Sequence, residues 1–134
     1  MNRTHLEGVA EALAVQAGYS FHTGPEGDMG HTVRSYPAAW LAPLSLHTVE
    51  GRRHGQATYD MTLHLMHSGA RLSPAERRAA LARMENDALD IFSALSSDAR
   101  VLCVDQLSVK PGTFVLTPHG EVAQTATARI ITSF

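Results

Sequence analysis

The chain contains a single cysteine and little concentrated positive charge, and each shortage closes off a class of function. One thiol, Cys103, cannot form an internal disulfide, and cysteine-based zinc sites need at least two thiolates at short spacing. This usage fits a reducing compartment. Positive charge is also sparse: 11 basic residues, with Lys110 the lone lysine, are scattered among 13 acidic ones, for a formal net charge of −2. No broad field exists to hold a phosphate backbone, so extended or sequence-specific nucleic-acid binding is not expected. Long hydrophobic runs are missing too. The longest uncharged run, YPAAWLAPLSLHTV, is short and broken by prolines, and Arg3, Glu7 and Glu11 interrupt what would be the apolar region of a signal peptide. A cytoplasmic protein with no membrane partner is expected. Gly24, Gly27 and Gly30 superficially suggest a nucleotide loop, but no helix start or lysine follows them.

What is present suits one ordinary domain over residues 1–134, with 44% hydrophobic and 18% charged residues. Thr4-His5-Leu6-Glu7 has the form of a capping box, and Leu6, Val9, Ala10, Leu13, Ala14 and Ala17 follow on one helical face, predicting a helix over 5–17. Residues 18–35, GYSFHTGPEGDMGHTVRS, have no sustained apolar period, so a long flexible loop is expected over about 18–36. Pro43 suggests that the residues before it form an edge or bend and that a strand begins near Leu44. Tyr59, Met61, Leu63 and Leu65 then alternate with Thr58, Asp60, Thr62 and His64, the period of a strand with one buried face. A second capping box, Ser73-Pro74-Ala75-Glu76, opens a helix predicted over 74–96, with Leu81, Met84, Ala88, Ile91, Phe92 and Leu95 inward. Strands are expected at 101–109, at 113–117 and over the closing stretch, where Val122, Ala126, Ala128, Ile130 and Phe134 face inward. The order helix, loop, strands, helix, strands predicts an α+β domain: a largely antiparallel sheet of four to six strands with two helices on one face.

Candidate chemistry is thin. His64 and His67 have His-x-x-His spacing, but residues three apart on a strand point to opposite faces and cannot share a metal. His22, Asp28 and His31 in the glycine-rich loop, with His119, are the remaining candidate ligands. They support an alternative reading as a small metal-binding protein or hydrolase, although such a loop supplies the orienting contacts of a metal site poorly. Asp60 and His64 lie about 13 Å apart along an extended strand and form no dyad. Cys103, in VLCV, reads as a small core residue. Ser93, Ser96 and Ser97 end a helix without a nucleophile elbow. No catalytic residue, metal or cofactor is therefore expected. Two surfaces stand out instead: a polar sheet face carrying Thr58, Asp60, Thr62, His64, Thr125, Thr127 and Arg129, and a basic hairpin tip, Arg52, Arg53 and His54.

HGQATYDMTLHLM, then LSPAERRAALARMENDALDIFSAL, and the closing FVLTPHGEVAQTATARIITSF resemble the tail terminator (tail completion, minor tail) proteins of long-tailed bacteriophages and prophages. The likeness covers most of the chain from about residue 40 onward and rests on architecture and texture, with no catalytic motif. It implies a structural, non-enzymatic protein that forms a hexameric ring, caps the tail tube and joins it to the head-completion proteins, cytoplasmic during assembly and then part of the virion tail. By position, Arg52 to His54, the polar sheet face and the loop residues Phe21, His22, Asp28 and His31 would make the ring or tube contacts.

Overall fold

In the computed structural model, residues 2–69, 71–112 and 120–134 are described. The chain runs α1 (Asn2–Gln16), β1 (Ser20–Thr23), a 3-10 turn (Glu26–Asp28), α2 (Met29–Thr32), β2 (Ala38–Leu41), β3 (Ser45–Glu50), β4 (Gln56–His67), α3 (Pro74–Ser96), β5 (Val101–Pro111) and β6 (Val122–Ser133). The strands form one sheet in the order β1-β2-β4-β6-β5, and β3 pairs with the part of β4 that β2 leaves free. Among the described residues the β1–β2 pair alone is parallel, so the fold is α+β with a mostly antiparallel sheet. The strand expected at 113–117, and His119, lie outside the described residues.

The alternation in β4 makes it the spine of the sheet. Ala57, Tyr59, Met61, Leu63 and Leu65 all face one side and are buried there with Ala126, Ala128 and Ile130 of β6. Leu6, Ala10 and Ala14 of α1 and Met84, Ala88, Ile91, Phe92 and Leu95 of α3 close over them. Each large apolar side chain so buried contributes about 1.5–3 kcal/mol. Two buried polar side chains on this face reach backbone carbonyls, Gln124 Nε2 donating to Leu81 at 3.0 Å and the Thr132 hydroxyl to Ala57 at 2.7 Å, while Gln124 Oε1 is buried without a partner among the described residues.

One of the two expected capping boxes forms. The Ser73 hydroxyl accepts the Glu76 amide at 3.1 Å, Glu76 accepts the Ser73 amide at 3.3 Å, and Pro74 occupies the first turn of α3, as its missing amide allows. Thr4 does not cap α1. The helix already includes Asn2, whose side-chain amide donates to the Thr132 hydroxyl and the Ser133 carbonyl, both at 2.9 Å, and this tether extends the helix past the expected start.

Three further expectations are corrected. Residues 18–36 are not an open loop: β1 joins the sheet, and Met29 and Val33, four apart, bury one face of the α2 turn against Trp40, Met66, Ala38 and Ala123 on the sheet's back. Residues before Pro43 are neither edge nor bend. Ala38–Leu41 is buried at every position between β1 and β4, and Pro43 falls after it. Cys103 is exposed, because a register shift between Val101 and Cys103 sets Val101 toward the core and Cys103 opposite Ile131 on the back face.

Candidate assembly surface

The β3–β4 hairpin is built on two glycines that nothing larger could replace. Gly51 has φ +92°, and a Cβ on Gly55 would collide with the Glu50 carbonyl and the Phe134 ring. Gly55 exchanges both backbone hydrogen bonds with Phe134, at 3.2 and 3.1 Å, which ties the hairpin base to the end of the sheet. The tip then presents Arg52, Arg53 and His54, all exposed.

β3 itself buries none of its six side chains. Leu46 and Val49 stand opposite Tyr59 and Ala57, on the helix side of the sheet, yet are 48% and 54% exposed because neither α1 nor α3 reaches them. Phe134, 45% exposed, continues the patch beside a groove of about 520 Å³ lined by Ala57, Tyr59, Arg100 and Phe134. Sequence reasoning missed Leu46 and Val49, since a bulge between Leu46 and Thr48 puts them three apart and breaks the alternation that marks a strand.

On the back face of the same end, β4 and β6 align Thr62 with Thr127 and Asp60 with Arg129. Arg129 Nε donates to Asp60 at 3.3 Å, and His47 Nδ1 lies 3.5 Å from the other carboxylate oxygen. Asp60, Thr62, Thr127 and Arg129, with Gln106 held at φ +54° in a second β5 bulge, line an open cleft of about 190 Å³. Thr58, Asp60, Thr62, Thr127 and Arg129 thus share one accessible surface, as expected.

His64 is not accessible there, while Thr125 beside it is half-buried. His64 is 4% exposed beneath the 24–36 segment, where Nδ1 hydrogen-bonds Thr125 Oγ1 at 2.8 Å and Nε2 meets Glu26 Oε2 at 2.9 Å. The His64–Glu26 contact fastens that segment to the sheet. Of the loop residues, Phe21 packs on the helix-side core, His22 stacks on Trp40 at 6.0 Å between ring centroids, and Asp28 and His31 are exposed. Among the described residues no group of three or more His, Cys, Asp or Glu side chains is placed to hold a metal ion. Neither a protein-family model nor a curated protein matches the chain.

Two polar clusters lie on the helix side. The Tyr19 hydroxyl donates to Asp87 at 2.6 Å, and burial together with that carboxylate pushes the phenol's pKa far up, so it stays a donor. His67 meets the Tyr19 ring edge-on at 5.9 Å, and burial, then the charge of Arg83, hold its imidazole below the ordinary 6.5. At the other end of the helices His5 Nε2 bonds Asp98 at 2.7 Å and keeps that carboxyl below its ordinary 3.8. Among the described residues no helix is long and apolar enough to cross a membrane.

Proposed function

We propose that this protein is a structural component of a phage or prophage tail, a homo-oligomeric ring, hexameric in the resembled family, that caps the tail tube and meets the head-completion proteins. The observation that carries this reading is β3, a strand that buries no side chain within its own chain and leaves Leu46 and Val49 open. A lone hairpin is marginally stable in water, and exposed apolar residues on a strand invite pairing or aggregation unless another surface covers them. The cover proposed here is a neighbouring copy in the ring. Beside it, the Thr62–Thr127 and Asp60–Arg129 pairs form a face of short or paired side chains that lose little rotamer freedom when packed. In this reading the chain performs no chemistry, and its work is to bind ring neighbours and one end of a tube.

The test is to polymerise the cognate tail-tube protein with and without this chain and to measure tube lengths by electron microscopy. Tubes should stop at a defined length with the chain at one end, and Arg53→Glu should give longer, uncapped tubes. Identical length distributions with and without the protein would sink the proposal.

A further inference from the structure

The ring reading needs an acceptor for the hairpin. We propose that it is the groove between α1 and α3 of the next copy, which takes the arginine tip in a head-to-tail contact; this rests on the ring reading above. The groove, about 320 Å³, is lined by Leu13 and Ala17 of α1 and by Ile91, Ala94, Asp87 and Asp90 of α3. It pairs an apolar floor with two carboxylates one helical turn apart. The Tyr19 hydroxyl already engages Asp87. Asp90 is exposed and makes no hydrogen bond or ion pair among the described residues, so it is the carboxylate left for an incoming cation. Arg52 and Arg53 are likewise exposed and unpaired among the described residues. A guanidinium fork suits a carboxylate better than a lysine would.

Distance requires the contact to be intermolecular. β4 leaves the hairpin at Gln56 and ends at His67, which touches the Tyr19 ring, and Tyr19 in turn bonds Asp87 beside the groove. Twelve strand residues put Gln56 about 36 Å from His67, and the paired Gly55 and Phe134 backbones hold the hairpin to the sheet end, so the tip does not fold back into its own groove. Donor and acceptor patches at different places on one chain make a heterologous contact, which closes into a ring when the rotation between copies allows it.

Charge reversal in the full chain tests this, with self-association followed by sedimentation over a concentration series and folding checked by circular dichroism. Arg53→Glu and Asp90→Arg should each weaken association by roughly tenfold or more, and R53E/D90R in one chain should recover it to within about threefold, since the pair is then reversed but still complementary. Wild-type association in the Asp90→Arg variant, or no recovery in the double variant, overturns the groove contact while leaving the ring reading standing. A wild-type chain that stays monomeric at every concentration overturns both.

Discussion

His64 is the residue whose surroundings were least visible in its neighbours along the chain. Its place in the Thr-Asp-Thr-His alternation marks the polar face of a strand, and that is where it sits. What buries it is Glu26, 38 residues away, brought over by Met29 and Val33. Removing the imidazole leaves a cavity and strips Thr125 and Glu26 of a partner. His64→Ala should therefore lower unfolding free energy by about 2–3 kcal/mol in urea titrations. Glu26→Ala, losing a half-exposed partner, should cost under about 1 kcal/mol. Equal losses would show that His64 matters chiefly through its pairing with Glu26. His67 sets a pH dependence. The unfolded chain takes up its proton near 6.5, while the folded chain, with a depressed imidazole, resists until lower pH. Its contribution is thus complete above 6.5 and is lost as pH falls through the folded value. Unfolding free energy should drop as pH falls below about 6.5, and His67→Gln should flatten that part of the curve. An unchanged slope would rule out His67 as its source.

At the scale of elements, the two capping motifs offer an internal comparison. Ser73→Ala removes a cap whose hydroxyl serves a backbone amide and should cost about 1 kcal/mol. Thr4→Ala, inside the first turn of α1 and exposed, should be near neutral, because threonine is the poorer helix former. Melting temperatures of the two variants check this, and a comparable loss at Thr4 would argue that α1 begins later. The same contrast explains what could be read without coordinates. α3 and β4 were legible because each carries a long apolar period, and α3 adds its own start signal. β1 and β2 were not, being four residues each, too short for a period, and stabilised by pairing, β1 with β2 and β2 with β4, rather than by their own composition. In 18–36 the glycines were conspicuous, while the Met29–Val33 spacing that anchors the segment spans a single turn and matters only once Trp40 and Met66 are in place. Deleting 23–30 would remove Glu26 and Met29 and should therefore unfold the back-face cluster as well as alter any contact made there.

For the whole molecule, the helix side and one half of the back face are closed by the chain itself, and the hairpin end is left open. Half of the candidate surface was visible in the sequence: Arg52 to His54 because charge is concentrated there, and Thr58, Asp60, Thr62, Thr127 and Arg129 because strand alternation assigns them one face. The apolar half, Leu46, Val49 and Phe134, was hidden by a bulge and by an expectation that Phe134 would face the core, which its 45% exposure corrects. If this patch is a ring interface, a charge in it should prevent assembly and leave the fold intact, since β3 buries nothing internally. The most direct measurement is the mass in solution by light scattering across a concentration series, for the wild-type chain and for Leu46→Asp/Val49→Asp. The expected result is a wild-type mass rising from 14.5 kDa to a closed ring, near six times that value for a hexamer, with the variant staying at 14.5 kDa. A wild-type chain that remains at 14.5 kDa at every concentration, or a variant that assembles as readily, would contradict it.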